Sequence, residues 1–327
     1  MNAVWYETVG PAAQVLQFGE QPLPLPQAGE VRVRLATSGV NPSDVKNRSG
    51  SRGPMALPMQ IPHSDGAGVI DAVGAHGPET RIGERVYVWN AAWRRPHGTC
   101  AHYVCLPAAQ AVRLPDSVDF AAGACLGIPA MTAAHAVFAD GDVTGQTVLV
   151  TGGAGAVGEI AIQLARWGGA RVIATVSNAA KAAVAQAAGA HHVIDYRREN
   201  VVEAVRAVTG GAGVDRVVEV EFGGNLPATL QIIRPGAVIA AYGSMAVPTP
   251  ELPFYPLMFA HATVRALLVY LLAPTERAHV IDRLAGAMAA DALHPRVAMR
   301  VPLRDTVQAH EAVESGTLIG NVVIDID

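Results

Sequence analysis

The chain has 327 residues, half of them hydrophobic and 16% charged, with a formal net charge of −4. This composition excludes a disordered chain, which lacks the apolar residues for a core, and argues against a general nucleic-acid binder, which carries a basic excess. Three cysteines (Cys100, Cys105 and Cys125) point to a reducing compartment rather than a disulfide framework. The N-terminus, Met1-Asn-Ala-Val-Trp-Tyr-Glu7, has no basic region followed by an apolar core, so a cytoplasmic location is expected.

In chain order, residues up to about 124 show short alternating runs broken by proline and glycine, at 30–35, 68–73, 84–88 and 101–105. This pattern predicts a β-rich, partly open barrel. From about residue 126, alanine-rich helical segments alternate with Val/Ile strands at 147–151, 171–176, 192–195, 216–220 and 237–242. Alternating strand and helix predicts an α/β fold with a doubly wound parallel sheet covered on both faces. The most apolar window, 257–272, contains His261 and Arg265 and is too short to span a bilayer comfortably. A helix over 275–290 and a closing strand over 320–326 follow, and that strand is expected to return to the first body. The organisation read from this is a first domain of 1–125 with 264–327, and an inserted domain of 126–263.

Within the inserted domain, Thr147-Val-Leu-Val-Thr-Gly152-Gly-Ala154-Gly155-Ala156-Val157-Gly158 reads as strand, glycine turn and helix start. Gly152 permits a tight exit from the strand, Gly155 lets backbone approach a pyrophosphate, and Gly158 lets the helix pack closely on the sheet. The helix N-terminus supplies N–H groups and a positive dipole end. In an NAD site an acidic side chain ends the second strand and binds the ribose 2′-hydroxyl. Here that strand runs into Ser177, with Lys181 one helical turn on, and Tyr196 and Arg197 follow the third strand. A missing acid beside a basic residue favours NADP(H), with a solvated Lys181 as the plainer reading.

Five collinear segments carry a family resemblance: 38–44 (Ser-Gly-Val-Asn-Pro-Ser-Asp), 64–70 (Ser-Asp-Gly-Ala-Gly-Val-Ile), 83–86 (Gly-Glu-Arg-Val), 127–133 (Gly-Ile-Pro-Ala-Met-Thr-Ala) and the glycine turn, with Ala309-His310-Glu311 and the strand from Gly320 behind them. Over nearly its whole length the chain resembles the medium-chain dehydrogenase/reductase superfamily, and within it the zinc-free quinone oxidoreductase branch that includes zeta-crystallin. The resemblance implies a GroES-like β-barrel domain beside a Rossmann domain, and a homodimer or homotetramer. The zinc-dependent branch is the natural rival. Its structural-zinc lobe needs four closely spaced cysteines, and residues 90–100 hold only Cys100. Its catalytic ligand positions fall at Asn41, Ser64 and near Ile128, with His63 and Cys125 out of register, so no metal is expected.

Without zinc, the chemistry rests on hydride delivery to a quinone or an α,β-unsaturated carbonyl, whose oxygen becomes an oxyanion and needs hydrogen-bond donors. The resemblance places Asn41 beside the nicotinamide, while Asn41-Pro42 is also a good turn signal. Lys46 stands where many relatives carry a tyrosine as proposed proton donor. It is read either as a proton donor or as a surface lysine. Thr132 either faces the nicotinamide, at the start of a long helix, or caps that helix. Tyr242, Gly243 and Ser244 end the fifth strand at the ligand crevice. Val269 and Tyr270 follow the next strand, where relatives hold the carboxamide with backbone groups, and Asn321 completes that wall. Trp89, Trp93, Arg94 and Arg95 form a loop that shapes the acceptor pocket, Trp93 by stacking and the arginines either solvated or as a carboxylate clamp. His63, His97, His102 and His135 are read as ordinary structural histidines. The expected function is an NADPH-dependent quinone reductase, with an enone or alkenal reductase as the alternative. A different class, an NADPH-binding regulatory or RNA-binding protein with little turnover, is weakened by the acidic charge.

Overall fold

Alternation builds the first unit. In chain order it contains β1 (Asn2–Trp5), α1 (Ala12–Val15), β2 (Gln17–Glu20), β3 (Glu30–Val40), α2 (Pro42–Ser49), β4 (Asp65–Val73), β5 (Arg85–Val88), β6 (Tyr103–Pro107), β7 (Ala111–Arg113) and α3 (Phe120–Gly123). Along β3 the apolar Val31, Val33 and Leu35 are buried while Arg32 and Arg34 between them are not, and each fully buried Val or Leu contributes about 1.5–3 kcal/mol. Arg32 turns outward and pairs with Asp71 of β4 at 3.0 Å. The computed structural model describes residues 1–75, 77 and 79–326.

The second unit contains α4 (Met131–Phe138), β8 (Thr147–Val150), α5 (Ala156–Trp167), β9 (Arg171–Val176), α6 (Ala179–Ala187), β10 (His192–Asp195), α7 (Val201–Thr209), β11 (Val214–Glu219), α8 (Phe222–Thr229), β12 (Ile233–Ala241), α9 (Phe254–Phe259), β13 (Thr263–Ala266) and α10 (Pro274–Ala289). Its strands form one parallel sheet in the order β10-β9-β8-β11-β12-β13. The order reverses beside β8, which is the Rossmann arrangement and puts the strand ends there on a ligand crevice. The chain then returns to the first unit with β14 (Val297–Pro302), α11 (Thr306–Ser315) and β15 (Asn321–Asp325). β15 and β6 share one edge of β3, pairing with its end and its start respectively, while β4 takes the other edge.

The units divide at Pro129/Ala130 and His294/Pro295, so residues 264–294 belong to the second unit and not, as the sequence reading has it, to the first. The reason is pairing. β13 extends the parallel sheet beside β12, and its Arg265 reaches Asp140, which also holds the buried Arg216 of β11 at 3.2 Å. α10 is tied in by Arg277, which donates to the Val269 carbonyl at 2.5 Å. The helix expected to be long at residue 131 is the short α4, behind a π-helical turn (Leu126–Ala130) that contains Pro129. Among the described residues the three cysteines are buried and form no disulfide. Among the described residues no helix is long and apolar enough to cross a membrane.

Candidate active site

The second unit carries the glycine turn. Gly152 leaves β8 at φ 65°, a conformation in which a side chain is strained. Gly153 N–H donates to the Thr175 carbonyl at 2.9 Å and Gly155 N–H to the Gly152 carbonyl at 2.9 Å, folding the turn against β9. Gly155 is the N-cap of α5. A methyl group on Gly158 would stand 2.3 Å from the Gly152 oxygen, so helix and turn touch only because this residue is glycine. On Gly155 the same group would meet nothing nearer than 3.3 Å, so this is the side from which the backbone can be approached. The first N–H groups of a helix have no intrahelical acceptor. Those of Ala156, Val157 and Gly158 therefore supply donors and the dipole's positive end together. The arrangement fits the pyrophosphate of a dinucleotide.

The end of β9 gathers the residues read as cofactor-selective. Ser177 is buried there. Asn178 caps α6 by accepting the Lys181 N–H at 2.9 Å, which sets Lys181 in that helix's first turn. Tyr196 is bound to the same strand end by its N–H, which donates to the Val176 carbonyl at 3.0 Å. A pocket of about 230 Å³ opens here, lined by Gly152, Thr175, Tyr196, Val220, Glu221 and Asn225 among others. Sequence reasoning missed Glu219 beneath it. One Glu219 oxygen accepts from Thr151 Oγ1 (2.7 Å), Asn225 Nδ2 (2.9 Å) and the Glu221 N–H (2.7 Å). Burial pushes the Glu219 pKa up, against the pull of those hydrogen bonds. The acids at 219 and 221, ending a Val-rich strand, were the available signal.

Other expected cofactor contacts are placed less simply. Gly243 follows β12 and lies so close to Val220 that a methyl group would come 2.4 Å from its carbonyl oxygen. Tyr242 N–H donates to the Glu219 carbonyl at 3.0 Å. The Ser244 hydroxyl accepts from the Gly223 N–H at 2.9 Å and donates to the Val247 carbonyl at 2.6 Å. It ties down its own loop. Val269 and Tyr270 are buried in a 3₁₀ turn after β13, where the Val269 carbonyl is already held by Arg277. Thr132 is buried as the second residue of α4, and the N-cap, Ala130, has no side-chain cap bond. Thr132 therefore does not cap that helix.

In the first unit, Asn41 ends β3 and caps α2. Pro42 fixes the first helical turn, and Asp44 accepts the Asn41 N–H at 2.8 Å. Gly50, at φ 83°, stops the helix. Asn41 is buried, and its Nδ2 donates to Asp65 Oδ2 at 2.7 Å. The same oxygen accepts the Ile128 N–H at 2.8 Å, while the Asp65 carbonyl accepts from Thr99 Oγ1 at 2.6 Å. Asp65 thus joins Asn41 and Ile128, two of the positions at which the resemblance locates zinc ligands. Gly127 has to be glycine, because a methyl group there would fall 2.0 Å from Asp65 Oδ1. Asp65 was visible only as part of the Ser64-Asp65-Gly66 motif. Lys46, half-buried on α2, has its pKa brought down by burial and then by the positive Arg52.

A pocket of about 210 Å³ in this unit is lined by residues of α2, of the loop after it and of the 92–94 loop, including Trp93 and Arg94. Trp89 is not among its lining residues. Arg95 turns inward, reaching Gln110 Oε1 at 3.1 Å and Glu30 at 3.6 Å and also donating to the Cys105 carbonyl, so it is structural. Asn321 opens β15 with its amide on the Arg296 carbonyl at 3.0 Å, a contact within its own unit. His63 is held at both ring nitrogens. It is fully buried at φ 74°, with Nδ1 2.9 Å from Ser38 Oγ and Nε2 2.9 Å from His310 Nε2. Among the described residues, no group of three His, Cys, Asp or Glu is arranged to hold a metal ion.

Comparison with known proteins follows the same division. The family description "Alcohol dehydrogenase GroES-like domain" matches residues 27–116, and "Zinc-binding dehydrogenase" matches residues 156–286. A 2-haloacrylate reductase of a Burkholderia species is 32% identical, covering 99% of this chain and 98% of that protein. The quinone oxidoreductase of Homo sapiens is 28% identical over 94% of each chain. The crystal structure of Escherichia coli quinone oxidoreductase complexed with NADPH superposes with a TM-score of 0.86 at 26% identity, covering 99% of this chain and 100% of that one. Matched in both domains and along its whole length, the chain belongs to the medium-chain dehydrogenase/reductase superfamily, in its quinone oxidoreductase branch.

Proposed function

We propose that this protein is a cytoplasmic NADPH-dependent reductase that delivers hydride to a quinone. The observation that carries the reading is the glycine turn joined to a β9 end that offers Ser177 and Lys181 in place of a carboxylate. The NADPH in the related Escherichia coli structure supports it. When bound, NADPH supplies a hydride from its nicotinamide ring. Gly155 and the first turn of α5 hold the pyrophosphate, Ser177 and Lys181 the 2′-phosphate, and Tyr196 flanks the adenine ribose. Asn41, locked to Asp65 through Nδ2, keeps its carbonyl oxygen as an acceptor for positioning. Lys46 is the proton donor for an acceptor that needs a proton on carbon, and the lowering of its pKa eases release of that proton.

An activated alkene is the second reading, favoured by the 32% identity to a 2-haloacrylate reductase. Alkene reduction needs a proton on carbon and quinone reduction does not. Lys46→Ala is therefore expected to lower enone turnover relative to quinone turnover by about ten- to a hundredfold. Following NADPH absorbance with a quinone, a short alkenal and a saturated aldehyde tests both readings. Turnover of the saturated aldehyde alone would overturn them.

We infer also that the protein is a homodimer paired along β13. This is the edge strand of the parallel sheet, with Val264 40% exposed, and Phe254, Tyr255, Met258 and Phe259 of α9 are exposed in the same unit. An open apolar edge is a template for a second strand. Val264→Lys is expected to convert a dimer into a monomer in light scattering, and a wild-type monomer would contradict the inference.

A further inference from the structure

The first-unit pocket has a charge pattern that the hydride-transfer reading does not require. Its walls are apolar, from Tyr6, Met55, Leu57, Pro62 and Trp93, and two of its lining residues are the exposed cations Arg52 and Arg94. Among the described residues neither guanidinium forms an ion pair. Arg94 lies instead over the Trp93 ring, 5.3 Å from its centroid, from a backbone at φ 57°. The one acid lining the pocket, Asp44, is buried and already accepts the Asn41 N–H. Burial pushes its carboxyl up to about 7, which weakens it as a counter-charge for Arg52. Lys46, on the same helix as the lining residues Asp44 and Asn47, feels Arg52 as a like charge. The lining therefore sets two exposed cations against one buried acid. A guanidinium fork binds a carboxylate or sulfonate through two parallel N–H groups.

We propose that this pocket receives the acceptor and that Arg52 and Arg94 select one carrying a negative charge: a flat conjugated ring or alkene bearing a carboxylate or sulfonate. This rests on the reductase reading. The apolar walls take the conjugated part, and the two arginines take the acid. Both cations are exposed, so solvent weakens them and the preference is about tenfold rather than thousandfold.

The test compares an ortho-naphthoquinone with the same ring carrying a sulfonate, using the full-length protein with NADPH. Wild type is expected to show a higher kcat/KM for the sulfonate, by about tenfold at low salt, with the ratio shrinking as ionic strength rises. In Arg52→Gln/Arg94→Gln the ratio should fall to about one, and in Arg52→Lys/Arg94→Lys part of it should persist. Tryptophan quenching by the two rings gives the same ratio for binding without turnover. Turnover of both rings at equal kcat/KM, or a ratio unmoved in the double Gln variant, would overturn the charge selection and leave the reductase reading standing. Preferential binding of the sulfonate with no NADPH oxidation by either ring would uphold the selection and overturn the reductase reading.

Discussion

The glycine turn of the second unit and the Asn41–Asp65 cluster of the first both hold polar groups in fixed positions, by opposite means. The turn uses backbone. Its donors are helix N–H groups, and its side-chain requirement is mostly the absence of one, as the 2.3 Å approach at Gly158 shows. The cluster uses side chains brought together across 24 residues from Asn41 to Asp65 and 63 from Asp65 to Ile128. A backbone site fails when something is added. A side-chain site fails when something is removed.

The sharpest way to break that contrast is one substitution in each place. Gly158→Ala puts a methyl group into the Gly152 carbonyl and is expected to weaken NADPH binding by about a hundredfold, roughly 3 kcal/mol. Isothermal titration calorimetry would measure it. Asp65→Ala leaves the Asn41 amide and the Ile128 N–H without their acceptor in a buried site. Each such group costs about 1–3 kcal/mol, so a loss of about 3 kcal/mol in urea unfolding is expected. If Gly158→Ala acted only on stability, or Asp65→Ala left the unfolding midpoint unmoved, the contrast would collapse.

A smaller effect sharpens the cofactor side. Ser177→Glu puts a carboxylate at the end of β9, where an NAD site carries its acid. It is expected to lower the NADPH-to-NADH preference by about tenfold or more in kcat/KM. An unchanged preference would mean that the 2′-phosphate is recognised elsewhere.

The smallest expected effect concerns the buried imidazole pair. With the two Nε2 atoms 2.9 Å apart, one ring donates and the other accepts, which two protonated rings cannot do. Burial pushes the His310 pKa down to about 3, and burial followed by His310 pushes that of His63 well below its usual 6.5. In the unfolded chain both rings take up protons near 6.5. Stability from this pair is therefore complete above that pH and is lost as the pH falls toward 3, on the order of 1 kcal/mol per pH unit for each ring. Asp44, whose carboxyl burial pushes up to about 7, contributes the opposite slope, and its share cancels between variants. His310→Gln is expected to be less stable than wild type at neutral pH and to lose stability less steeply in acid. Parallel unfolding curves from pH 7 to pH 4 would contradict this.

Why one site was legible and the other was not follows from the same contrast. Glycine spacing, strand, helix and the missing acid at Ser177 are all local, so sequence alone located the turn, and α5 begins where that reading puts it. The parallel sheet, the closing strand and a helix at 274–289 were legible for the same reason. The His63–His310 pair joins residues 247 apart and left no local pattern, so His63 looked ordinary. Asp65 was visible only as a motif letter, because its role depends on which groups converge on it. Arg95 looked like its neighbour Arg94 in sequence, and only the fold turns it inward to Gln110. The boundary set at 263 failed because β13, four residues long, joins the sheet by pairing rather than by any change in composition.

The most direct test is a titration of the wild-type protein with NADPH and NADH in parallel. Binding of NADPH at least about tenfold tighter than NADH is the result expected from Ser177 and Lys181 at the end of β9. Equal affinity, or tighter binding of NADH, would contradict the reading of that strand end and with it the NADPH-dependent reductase.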